Sequence, residues 1–135
     1  MTTQTILQAP PDHAERLKAI DTGTSVIVEA PAGSGKTTLL TQRFLALLDR
    51  VDDPRHIVAI TFTNAAAAEM RHRILDALAK AAKSPSEADP LAVAAYERSQ
   101  TKGWNLLEHP ATLRISTIDS FCRDLAIQQP LLSGL

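Results

Sequence analysis

Apolar positions recur along this chain with two periods, and the switches between them mark out alternating helices and strands. Ala14, Leu17 and Ile20 share one helical face behind Pro11, which predicts a short helix over Pro11–Ile20. Thr22-Gly23-Thr24 reads as a turn, and Ser25–Glu29, with Val26, Ile27 and Val28 at its centre, as a buried strand. From Lys36 to Asp49 the apolar residues Leu40, Phe44, Leu47 and Leu48 fall at helical spacing, and Asp52-Asp53-Pro54 breaks the pattern. Ile57–Phe62 is almost wholly apolar, as expected of a strand covered on both faces.

A second amphipathic helix is predicted from Ala65 to about Lys83, with Met70, Ile74, Leu78 and Ala81 as its stripe. The pairs Glu69/Arg73 and Asp76/Lys80, four apart, support it. Ser84–Pro90 is a polar loop with two prolines. Leu91–Gln100 returns to helix and Gly103 resets the chain. Residues 84–112 thus form a helical insert, with Trp104 as its packing anchor. Leu113–Thr117 is a third strand, and Ile118–Gln129 a helix that ends at Pro130. Strands alternating with helices predict an α/β fold, a parallel sheet with helices on its faces.

Composition narrows the function classes. The 135 residues suffice for one modest domain, and a formal net charge of -1 provides no global basic field, so any nucleic-acid contact must come from a local surface. The single Cys122 excludes an internal disulfide and fits a reducing cytoplasm. His13, His56, His72 and His109 show no metal-ligand spacing and are expected on solvated surface. The amino terminus lacks the pattern of a signal peptide, and no run approaches the ~20 apolar residues of a membrane span. The expectation is a cytoplasmic protein with no membrane contact.

The candidate chemistry begins at Ala30-Pro31-Ala32-Gly33-Ser34-Gly35-Lys36-Thr37, between an apolar run and an amphipathic segment. Gly33 and Gly35 let the backbone curl so that successive N–H groups point inward. Those groups and the positive end of the following helix cradle a polyphosphate. Lys36 would reach the β- and γ-phosphates as a point charge, and the Thr37 hydroxyl would sit on Mg²⁺. Thr38 completes the tail Gly-Ser-Gly-Lys-Thr-Thr, and Ala30 stands where the first glycine of the usual pattern would be. ATP and Mg²⁺ are the cofactors this loop implies.

Two further strand ends carry hydrogen-bonding side chains. Thr61-Phe62-Thr63-Asn64 closes the second strand and opens the Ala-rich helix. Phe62 either stacks on an unpaired base or sits in the core, and Thr63 and Asn64 are good N-cap residues. Thr117-Ile118-Asp119-Ser120-Phe121-Cys122 repeats the arrangement, and capping explains it as well as ligand contact does. Arg71 and Arg73 either line a nucleic-acid path or form a solvated helix face. Cys122, beside Phe121, reads as a small core residue.

In this order the three segments resemble the amino-terminal part of the UvrD/Rep-like superfamily 1 DNA helicases, and within them the RecB/AddA branch of double-strand-break repair helicase-nucleases. Ala30–Thr37 matches the A-x-A-G-S-G-K-T form of the P-loop, Ala59–Arg73 the T-F-T-N-K-A-A-x-E-M motif, and Thr117–Cys122 a T-I-H-S-F-C-like motif. Asp12–Ile20 occupies the place of the adenine-reading segment. The resemblance extends over nearly all of residues 1–135 and implies the start of a P-loop, RecA-like first helicase domain. It implies an ATP-driven motor on single-stranded DNA that acts in recombination and repair, with a nuclease partner subunit or domain. Carried over, Thr61, Phe62, Thr63, Asn64, Asp119, Ser120 and Phe121 would meet DNA.

The chain departs from the pattern in several places. Ala65 stands where the motif has lysine, and Asp119 where the later motif has histidine. An ionised carboxylate only accepts hydrogen bonds. Glu15 stands near the place of the adenine-reading glutamine. No Asp-Glu dipeptide occurs, so the second carboxylate that holds Mg²⁺ for hydrolysis is not among these residues. The first helicase domain is therefore expected to be incomplete, inactive in turnover alone, and to leave sheet edge and helix faces uncovered.

Overall fold

The computed structural model describes residues 13–28 and 35–128. Its elements run α1 (His13–Ile20), α2 (Lys36–Leu48), β1 (Val58–Thr61), α3 (Asn64–Lys83), α4 (Pro90–Lys102), β2 (Arg114–Thr117) and α5 (Ile118–Gln128). Short 3-10 turns, Pro54–His56 and Pro110–Thr112, precede the two strands. β1 and β2 pair in parallel, with Val58 opposite Arg114 and Thr61 opposite Thr117. The architecture is α/β, a small parallel sheet flanked by helices. Among the described residues no helix is long and apolar enough to cross a membrane.

Local chemistry sets the helix limits. Thr63 caps α3 by accepting the Ala66 N–H at 3.1 Å, and the alanine-rich first turns that follow favour helix. Arg73 pairs with Glu69 at 3.0 Å as expected, whereas Asp76 pairs backward with His72 at 3.0 Å. Asp89 caps α4 through the Leu91 N–H at 2.9 Å, with Pro90 in the first turn. At its other end Gly103 turns left-handed at φ 68°, and Trp104 N–H reaches back to the Ser99 carbonyl at 3.0 Å. That closure satisfies carbonyls the helix would otherwise leave open.

The core joins Phe44, Leu45 and Leu48 of α2 to Met70, Ile74 and Leu78 of α3. Ala92 and Ala95 of α4 complete it, with Leu106, Leu113 and Ile115. The small alanines let α4 approach α2 and α3 closely, and the stretch 84–112 contributes buried residues to the core. Trp104 packs half-buried against this cluster.

Four expectations are corrected. Ser25–Val28 forms no strand, and Ile27 is 90% exposed. A strand persists only where a neighbour takes its N–H and C=O groups, and the described sheet pairs β1 with β2 alone. β1 is not covered on both faces: Val58 and Ile60 are exposed, while Ala59 faces the core and Ile57 before it is buried. Helix α3 packs against both strands, whereas among the described residues the contacts of α5 with the strands leave Val58 and Ile60 exposed. In α2 the buried set is Leu39, Thr41, Phe44, Leu45 and Leu48, with Leu40 turned out, because the helix meets both α3 and α4. In α1 Ala19 is buried and Leu17 is exposed, because among the described residues α1 packs mainly on α2.

Candidate functional site

Gly35 adopts φ 87° and ψ 22°, a left-handed conformation that glycine takes without a Cβ penalty. Lys36 begins α2 directly after it, and the Leu39 N–H to Gly35 carbonyl bond, 3.0 Å, is the first of the helix. Among the described residues no side chain caps this end, and no acidic residue lies in the first turn. The N–H groups that open a helix are donors in search of an acceptor, at the positive end of its dipole. Exposed Lys36 adds a full charge there, and Thr37 follows on the same turn. Lower down, the Thr41 hydroxyl donates to the Thr37 carbonyl at 2.8 Å. An anion with several oxygens fits this donor set. Ala30, Pro31, Ala32, Gly33 and Ser34 lie outside the described residues, as do residues 1–12 and 129–135.

The parallel register sets the second part of the site. Because Thr61 stands opposite Thr117, both strands end at one edge of the sheet, and the two hydroxyl-rich segments lie side by side. Ligands of parallel sheets gather at the carboxyl ends of the strands. At the first end the Thr61 hydroxyl donates to the Thr63 carbonyl at 3.0 Å, which folds the turn back on itself. Phe62 is thrown outward and is 90% exposed, and Asn64 is exposed beside it. At the second end Thr117 accepts the Ser120 N–H at 3.2 Å and shares a 3.0 Å bond with the Ser120 hydroxyl. Those bonds cap α5. Asp119 is exposed in its first turn, where a negative charge favours the helix dipole.

Phe121 is half-buried, and its ring lies under the Arg114 guanidinium, 5.9 Å from carbon to centroid. Of the two aromatic residues in these segments, Phe62 alone offers both faces to solvent.

Sequence reasoning singled out Arg71 but not its contact, and missed Arg114 and Arg43. Arg71 is not on a solvated face: it donates to the Ile115 carbonyl at 2.7 Å and ties α3 to β2. Its Nε is buried and has no hydrogen-bond partner among the described residues. Arg114 gave no local signal, since its partner ring belongs to the next element. Arg43 had one: a cation seven positions after Lys36 lies on the same helix face. Cys122 is exposed, not a core residue. Among the described residues no group of three or more His, Cys, Asp or Glu is placed to hold a metal ion.

Residues 12–134 match the UvrD/REP helicase N-terminal domain. The chain is 40% identical over 116 residues to an ATP-dependent helicase/nuclease subunit of Desulforamulus reducens, an alignment covering 83% of this chain and 8% of that protein. The corresponding protein of Alkaliphilus metalliredigens is 39% identical over 114 residues, and that of Lactobacillus helveticus 41% over 112. Each of these two alignments covers 82% of this chain and 8% of the relative. The chain therefore spans about 8% of the length of the relatives it matches. No solved structure matches it. On the length and identity of these matches, the chain belongs to the UvrD/REP helicase N-terminal domain family.

Proposed function

We propose that this chain is the nucleotide-binding front of an ATP-dependent DNA helicase, built on a P-loop, RecA-like sheet. In this reading it serves a cytoplasmic motor that works on single-stranded DNA in double-strand-break repair, beside a nuclease subunit or domain. The observation that carries the reading is the left-handed Gly35 set before a helix start that has no acid in its first turn and no side-chain cap among the described residues, followed at once by Lys36 and Thr37. The relatives, named as subunits of an ATP-dependent helicase/nuclease, agree with it.

Ala30, Ala32, Gly33, Ser34, Gly35 and the first turn of α2 would donate backbone N–H groups to the phosphates of ATP, with Pro31, which has no N–H to give, shaping the loop between them. Lys36 would neutralise the β- and γ-phosphates, Thr37 would offer its hydroxyl to Mg²⁺, and Thr38 would extend the row of donors. Bound Mg²⁺ supplies the positive charge that offsets charge on the transferring phosphoryl group. Thr61–Asn64 would meet DNA with Phe62 under a base. Asp119, Ser120 and Phe121 would border the same path, with Ser120 partly engaged in capping.

Residues 1–135 contain no Asp-Glu pair to hold the metal from a second side and orient water, so they bind nucleotide without turning it over. MgATP titration of the chain and of Lys36→Ala tests this. The parent is expected to bind and the variant to lose binding; equal affinity would remove the P-loop assignment. No DNA-stimulated hydrolysis is expected from this chain, and a robust rate would overturn the missing-carboxylate inference.

A further inference from the structure

From the contacts of its guanidinium group we infer that Arg43 is a positioning residue for the phosphate-binding loop, an inference that rests on the nucleotide-binding reading above. Lys36, Leu39, Leu40 and Arg43 lie along one side of α2 and line a cleft of about 230 Å³ against Ala19, Val26 and Val28. Arg43 lies two turns below Lys36 at the far end of this row. Its guanidinium collects three main-chain carbonyls. One Nη1 hydrogen bond goes to Ala19 and a second to Asp21 at 3.0 Å, while Nη2 donates to Thr24 at 2.9 Å. The first of these lies in the last turn of α1, where a cation meets the negative end of the helix.

The placement of Thr24 makes the clamp matter. Residues 25–28 lead into the loop at Ala30–Gly35 and carry no strand ladder. Two points on described residues flank that loop in sequence. One is the start of α2, and the other is the chain at Thr24, held to that same helix by Arg43. Arg43 thus ties the chain that leads towards the loop to the helix that follows it, with its guanidinium taken up by main-chain carbonyls. A planar fork of donors suits three carbonyls in a way that a lysine ammonium does not. Without the fork the incoming chain samples other positions, and apparent affinity falls by the fraction of loops correctly set.

The test is binding of magnesium tripolyphosphate and MgATP to the full chain, well below the melting temperature of each variant. Arg43→Met is expected to weaken both ligands about tenfold, with Arg43→Lys between it and the parent. Arg98→Met is the control. It removes an arginine that holds the Val51 carbonyl at 2.9 Å elsewhere in the fold, so it is expected to lower the melting temperature and leave affinity unchanged. Parent-like binding by Arg43→Met, or an equal loss in Arg98→Met, overturns the positioning role. If the parent itself bound neither ligand, or Lys36→Ala bound both as the parent does, the nucleotide-binding reading would fall and this inference with it. Loss of binding in Lys36→Ala with none in Arg43→Met would sink the inference alone.

Discussion

Phe62 holds an apolar ring in water at the end of a strand, where burial would otherwise stabilise the fold. The folded turn behind it, closed by the Thr61 hydroxyl, keeps the ring out. A flat, exposed ring is what a nucleobase stacks on, so Phe62→Ala should cost about 1–3 kcal/mol of single-strand affinity if the proposed contact is made. Fluorescence anisotropy with a labelled oligonucleotide would measure it, and unchanged affinity would return Phe62 to an unexplained exposure. In the same assay Asp119→Lys should tighten binding and steepen its salt dependence, because it exchanges a repelling charge for an attracting one. If neither moves, Asp119 acts only on the dipole of α5.

At the scale of elements, the 3-10 turn Pro54–His56 is set by one carboxylate. Asp53 accepts the Arg55 N–H at 2.9 Å and grips its guanidinium, with a shortest contact of 2.8 Å. Hydrogen bonds from Arg55 hold the carboxyl well below its ordinary 3.8, at about 2. A depressed carboxylate stabilises the fold above its unfolded pKa, and that contribution is lost as pH falls through the folded value. The stability gap between the parent and Asp53→Asn should therefore be level above pH 3.8 and close as pH drops towards 2. Urea midpoints across that range would read it, and a gap that did not narrow would refute the role of Asp53.

The same scale separates what the sequence reveals from what it does not. Helix α3 was legible because cap, alanine run and apolar stripe all agree. Strands β1 and β2 were legible from β-branched runs that end at turns. Val26–Val28 misled because apolarity records a residue's suitability for burial, whereas a strand also needs a partner. Burial of Leu39 and Ala19 in place of Leu40 and Leu17 depended on which helices lie alongside, which spacing alone does not encode. At the site, the two strand-end segments were recognisable, but their adjacency came from the register. Arg71 and Arg43 bond to carbonyls 44 and 24 to 19 positions away, beyond any local pattern.

For the molecule as a whole, the uncovered apolar residues are many for its size. Ile27, Val58, Ile60, Leu125 and Ile127 all meet solvent. Such exposure favours association, and unpaired strand edges add to it. The isolated chain should bind a hydrophobic dye and grow in apparent mass with concentration in analytical ultracentrifugation. The double variant Val58→Thr, Ile60→Thr keeps strand-compatible branching and should reduce both effects. A monomer that ignored the dye would show that these residues find cover elsewhere.

The parallel pairing of β1 with β2 has a mechanical consequence. A DNA strand held at Phe62–Asn64 and at Asp119–Ser120 would pull on both strands from the same end, in the same direction. Strands drawn together do not slide past one another, so the load puts little shear on the bonds between them. It passes instead into α3, which packs on both strands and is fastened to β2 by Arg71, and from there to α2. Had the two strands run in opposite directions with the same contact segments, an identical tug would have set them against each other. The register that makes the two loops neighbours also lets them recoil as one.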